Sequence, residues 1–245
     1  MRRILLSVMT IALVAVLGVG ATRAYFSDVE TSEDNTFSAG AINLMVDYES
    51  TYNGNNDEFW QLKDLTPTDR FFDIADVKPG DEGEGTISLH VFDNDAYIYG
   101  QILPQFDNDY SSNEPELETG DLEENPADAW DGELGQNLYW RIWIDDGATD
   151  GWQGDDEGEG DNLWQEGEDI IAQGYASELG SSPTGWIYLG QLDSSETMYL
   201  GAEWSIDLGV GNEVQTDRYQ ADISFLAVQD RHMVPGVLPS PVPTP

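Results

Sequence analysis

The chain has 245 residues, 48 acids against nine bases for a formal charge of −39, two histidines and no cysteine. That balance excludes nucleic acid as a partner and disfavours anionic membrane surfaces, since both need clustered lysine and arginine, and it excludes disulfides and Cys-ligated metals, with His-rich sites nearly excluded too. Hydrophobic residues at 40% and aromatics at 11% still supply a core to fold around.

The N-terminus reads as an export signal at residues 1–24. Arg2 and Arg3 are followed by an apolar run from Ile4 to Val19, and then by the small residues Gly20, Ala21 and Ala24. Cleavage after Ala24 competes with an uncleaved anchor, because Ile4–Ala21 is 18 residues and just long enough to cross a bilayer. Contact with a membrane is expected through this segment alone, and Sec and twin-arginine export both fit the arginine pair. Three arginines and no acid lie in 1–24, so the remainder carries −42. Such a charge repels itself in dilute buffer and is screened in brine, where the Debye length is about 3 Å at 1 M salt. Abundant acids beside only two lysines, Lys63 and Lys78, is the composition expected of a halophilic protein.

From Tyr25 the periodicity is two. Residues 25–37 form an arm in which Tyr25, Ser27 and Val29 alternate with Phe26, Asp28 and Glu30, and no turn gives it a hairpin partner. Alternation follows at Ile42–Tyr48, Ile87–Val91, Leu138–Ile144, Met198–Ile206 and Tyr219–Ala227. Weaker runs lie at Phe71–Ile74, Ile98–Leu103, Asp169–Ala172 and Trp186–Leu189. About nine strands are expected, with one short helix around Ala172–Leu179, which argues for an all-β antiparallel sandwich or jelly roll over residues 38–233. Two stretches, 104–136 and 145–169, each hold 11 acids and no base, and read as long acidic loop insertions. Residues 234–245 form a proline-rich tail.

Three segments together resemble the TasA/camelysin family of secreted β-proteins, whose bacterial members depend on a dedicated signal peptidase. The first runs from Ala21-Thr22-Arg23-Ala24-Tyr25-Phe26-Ser27-Asp28 into Asn35-Thr36-Phe37-Ser38-Ala39-Gly40-Ala41-Ile42-Asn43-Leu44. The second is Val77-Lys78-Pro79-Gly80-Asp81 with Thr86-Ile87-Ser88-Leu89. The third leads from Gly211-Asn212-Glu213-Val214 through Ala221-Asp222-Ile223-Ser224-Phe225 to Gln229-Asp230-Arg231-His232. The resemblance implies a jelly roll and extracellular fibres in which the N-terminal segment of one subunit completes the sheet of the next. The expected partner is therefore the chain itself, in a head-to-tail homopolymer and biofilm matrix, with Tyr25, Phe26, Val29 and Phe37 as assembly residues. A monomeric adhesion or glycan-binding domain is the alternative, with Trp130, Trp152 and Trp164 as stacking candidates. A camelysin-like hydrolase ranks last. His90 and His232 lie 142 residues apart and neither begins a His-Glu-x-x-His motif, so no catalytic residue is assigned.

One spacing points to a metal. Counting Asp155 as position 1, the acids Asp155, Glu157, Glu159, Asp161 and Glu166 fall at 1, 3, 5, 7 and 12, with Gly160 at 6. That is the ligand spacing of an EF-hand calcium loop, although Glu replaces the shorter acids at 3 and 5 and no helix flanks it. A solvated acidic loop is the leading reading of this stretch, and calcium, the one cofactor candidate, is the alternative.

Overall fold

A computed structural model describes residues 42–109, 111, 113–119, 128–149, 151, 157–179, 185–231 and 233–238. The signal at 1–24 and the arm at 25–37 lie outside the described residues, and backbone contacts place every described residue in one unit that begins at Gly40.

Among the described residues there are nine strands: β1 (Asn43–Tyr52), β2 (Asn55–Lys63), β3 (Glu82–Phe92), β4 (Ala96–Asp109), β5 (Leu138–Ile144), β6 (Ile170–Tyr175), β7 (Trp186–Leu192), β8 (Thr197–Ile206) and β9 (Asp217–Gln229). They form two antiparallel sheets, ordered β2-β1-β3-β8-β5-β6 and β7-β4-β9, packed as a sandwich. A jelly roll distributes eight strands over two Greek-key sheets. Here six strands face three, so the strand order carries the sandwich and not the finer name.

The alternation read from the sequence decides what is inside. Val46 and Tyr48 of β1, Ile87, Leu89 and Val91 of β3, Ile98 of β4, and Met198 and Leu200 of β8 bury against one another. Each removes enough apolar surface from water to contribute about 1.5–3 kcal/mol. Gly83 belongs to this inner face because a Cβ there would stand 2.5 Å from the Trp204 indole nitrogen.

One strand is unanticipated and two expectations fail at the level of elements. β2 shows no alternation because nearly all of it is exposed beyond the sandwich; Trp60 alone turns inward, its ring 5.1 Å from those of Tyr48 and Phe71. The turn into it, Asn53-Gly54, has φ of 48° and 70°, the mirror-image turn that suits the twist of a two-residue hairpin. Phe71–Ile74 is not a strand: Phe71 is a buried plug in the connection between β2 and β3, edge-on to Tyr48 and to Phe225. No helix forms over Ala172–Leu179. Strand β6 runs to Tyr175, and a single 3-10 turn follows at Ala176–Glu178. The buried Ala176 is held there by its carbonyl, which accepts the Tyr219 hydroxyl at 2.7 Å.

The two acidic stretches take different places. The first begins inside β4, which stays paired with β9 as far as Asp109↔Asp217 after a bulge between Pro104 and Phe106. It then carries two short helices, α1 (Glu114–Thr119) and α2 (Leu134–Asn137). The second connects the end of β5 to the start of β6 and folds over the outer face of the large sheet. Glu159 bridges back to Asp146, Gly160 lies on the Tyr199 ring, and Trp164 stacks on Arg141 with 5.0 Å from guanidinium to ring centre. On that face Trp143 is wholly buried, lodged over Gly201, where any Cβ would overlap its ring.

Candidate functional site

The small sheet ends in β9, which pairs with β4 along thirteen residues and with no other described strand. Its core-facing Ile223, Phe225 and Ala227 pack on the main cluster yet are only half-buried, although their counterparts in the middle of the large sheet are fully covered. Among the described residues this long edge, with its incompletely covered apolar row, has no second strand beside it, and such an edge is suited to accept one. The other edges suit this less: β2 projects beyond the sandwich, β6 has six residues and β7 has seven.

Buried carboxylates hold both acidic insertions. In the first, Asp107 is 3% exposed and both its oxygens accept the Gly135 N–H. Asp217 accepts the N–H groups of Glu133 and Leu134 at 2.7 Å each, where α2 begins. Glu116, fully buried, accepts the Asn113 N–H at 2.5 Å while Asn113 Oδ1 accepts the Glu116 N–H, a capping box closing α1. The other oxygen of Glu116 takes the Thr216 hydroxyl at 2.9 Å. Burial pushes Asp107 up to about 6 and Asp217 to about 7.

In the second insertion Asp145 is fully buried and Oδ2 accepts the Asn162 N–H at 2.7 Å. Glu168, 6% exposed, accepts the Gly147 and Gln165 N–H groups at 3.2 and 2.6 Å. Burial first, then the neighbouring Glu168 and Asp161 carboxylates, pushes Asp145 up to about 7. Three buried oxygens of this loop meet no donor: Asp145 Oδ1, Asn162 Oδ1 and Gln165 Oε1.

Of the calcium set read from spacing, Asp155 lies outside the described residues. Glu157 and Glu166 are exposed, and both oxygens of Asp161 accept the Gln165 side-chain amide, Oδ1 taking the Leu163 N–H as well. Among the described residues no three Asp, Glu, His or Cys side chains converge as a metal site. Tyr25, Phe26, Val29, Phe37, Trp152 and His232 lie outside the described residues, while Trp130 is 53% exposed. His90 sits on the outer face with both ring nitrogens engaged: Nε2 meets Asp47 Oδ2 at 2.6 Å, and Nδ1 meets the Thr197 hydroxyl at 3.0 Å. Sequence reasoning missed Asp145, Asn162, Gln165 and Glu168, which share no motif and are linked, through the Asn162 and Gln165 N–H groups, only once the loop closes on itself.

These features define an antiparallel β-sandwich whose β9 edge has no second neighbour among the described strands, with carboxylate-organised insertions. A family model described as camelysin metallo-endopeptidase matches residues 1–90, so over that stretch the chain is similar to the TasA/camelysin family that its sequence resembles. No curated protein matches the chain.

Proposed function

We propose that this chain is a secreted structural subunit of extracellular filaments or biofilm matrix, in which residues 25–37 of one copy pair with the edge of β9 in the next. The observation that carries this reading is β9 itself, thirteen residues long with a half-covered apolar row and a single partner among the described strands. The arm is also thirteen residues, and its alternation offers Tyr25, Val29 and Phe37 to one face of a sheet. Exchange of a strand from one copy to the edge of another is head-to-tail and does not close, so it propagates.

The family description names a peptidase, and over the matched residues the one histidine is His90, bonded by Asp47 and Thr197 on an open sheet face. A zinc peptidase needs such nitrogens free to meet a metal, so we place hydrolysis second. Electron microscopy of the purified secreted protein tests the first reading. Wild type should form filaments that lengthen with concentration. Deletion of residues 25–35 should leave a folded monomer that caps wild-type ends; filaments of normal length from the deleted form would overturn the proposal.

A further inference from the structure

Among its described residues, the loop from Asp145 to Glu168 carries buried oxygens that meet no donor. A buried oxygen left without a donor loses its hydration and gains nothing in return. Here three such oxygens lie in one short closed segment: the carboxylate Oδ1 of the wholly buried Asp145 and the side-chain amide oxygens of Asn162 and Gln165. Gln165 is turned this way by Asp161, whose two oxygens accept its NH2 group at 3.1 and 3.0 Å, so its oxygen must face elsewhere. The backbone ties the three together. Asn162 donates its N–H to Asp145, Gln165 donates its N–H to Glu168, and Gly160 donates to the Asp145 carbonyl at 3.1 Å. Glu168, the second buried carboxylate, stands beside Asp145 closely enough to interact with it.

A shared proton does not balance this count. Placed on Asp145, it turns one orphaned acceptor into a donor and satisfies one other group, and at least one amide oxygen remains unmet. A cation held by this loop would supply a positive centre that several of these oxygens can share. Two carboxylates with amide oxygens form an all-oxygen donor set, the kind calcium accepts in six- to eight-fold flexible coordination; magnesium prefers a rigid octahedron and keeps its waters. Only two members are acidic, consistent with the finding that no three acidic or His side chains converge. We infer that the second insertion holds a calcium-class divalent cation on Asp145, Asn162, Gln165 and Glu168, in place of the ligands that EF-hand spacing suggests.

The test uses the whole secreted chain, stripped with chelator and studied in molar NaCl so that general screening is already saturated. Calcium chloride should raise Tm by about 5 °C or more at saturation, with a midpoint in the range of about 10⁻⁴–10⁻³ M typical of extracellular modules. Terbium should show luminescence sensitised by the nearby tryptophans and be displaced by calcium. Both responses should vanish in Asp145→Asn and Glu168→Gln and persist in Asp217→Asn, which alters the other insertion. If Asp145→Asn does not fold, Glu168→Gln and wild-type terbium titration decide. No calcium shift beyond that of NaCl at equal ionic strength overturns the proposal, as does a shift that survives Glu168→Gln. A stabilisation produced by acid to pH 5 and not by calcium would assign the loop to a proton and overturn it equally. None of these readouts depends on filament formation.

Discussion

The two acidic insertions are near twins in sequence, each with 11 acids and no base over a few dozen residues, yet the fold treats them differently. The first is stitched to β9 and its neighbouring turn, and its most buried carboxylates, Asp107, Asp109 and Glu116, each meet backbone or hydroxyl donors. Where it leaves an oxygen unmet, on Asp217 Oδ1, burial above all, with the nearby Glu133 and Asp107 charges, pushes that carboxyl up. The second closes over the outer face of the large sheet, and it leaves amide oxygens unmet that no single proton can serve. Charge count therefore says little about what an acidic loop does; the supply of N–H groups around each buried oxygen decides it.

The sharpest way to break this comparison is to remove the second insertion's seat. Gly201→Ala places a methyl group where the Trp143 ring lies, and that ring is rigid and wholly buried, with no free space to move into. The expected loss is about 3 kcal/mol, read by urea unfolding, with hydrogen exchange rising first in residues 157–179 and only later around α2. Equal loss of protection in both insertions would show that they unfold as one unit and that the distinction is superficial.

Acidity separates them next. For Asp107, Asp145 and Asp217 the folded pKa stands above the ordinary value near 3.8, at about 6, about 7 and about 7. Between those limits the folded state holds more protons than the unfolded one, so stability falls as pH rises from about 4 to about 7 and levels off above. Asp217→Asn keeps an oxygen for the Glu133 and Leu134 N–H groups and removes the charge. It should raise Tm at pH 8 and change it little at pH 4, an effect on the order of 1–3 kcal/mol for a carboxyl this far shifted. A Tm that rises monotonically from pH 4 to pH 8 in the chelated protein would show that these carboxylates are not held against burial.

Much of the fold is legible in the sequence because one sheet face is buried. Ile87, Leu89 and Val91, or Met198, Leu200 and Ala202, alternate visibly with polar neighbours. β2 is not legible by the same rule, since a strand exposed on both faces has no alternation to read; the Asn53-Gly54 pair was the available sign. Phe71 and Phe72 look like strand residues because apolar character reports burial, not backbone shape. The buried carboxylates are the least legible. Asp145 and Glu168 are two acids among many in composition, and only closure of the loop sets them apart. The regular spacing that draws attention in the same stretch includes Glu157 and Glu166, which face solvent.

The smallest expected difference concerns salt. The remainder of the chain after residue 24 carries −42, and each insertion lies near one arginine: Arg141, paired with Glu203 at 2.9 Å and stacked on Trp164, and Arg218, stacked on Phe106 at 5.4 Å. Half-exposed contacts of this kind contribute at most about 1 kcal/mol each, too little to offset so many like charges once screening is withdrawn. Lowering NaCl from molar to about 0.1 M lengthens the Debye screening distance from about 3 to about 10 Å, so acids on neighbouring turns begin to feel one another and Tm should fall. The second insertion should respond more, because it lies on a sheet face that itself presents Glu84 and Glu203 as directly opposed cross-strand neighbours. The first is anchored through helix caps and N–H bonds that salt does not weaken. Tm measured across the salt series, with exchange followed at 157–179 and at 128–137, checks both statements. A flat Tm would remove the brine reading of the composition, and a larger response at 128–137 would reverse the ranking of the two insertions.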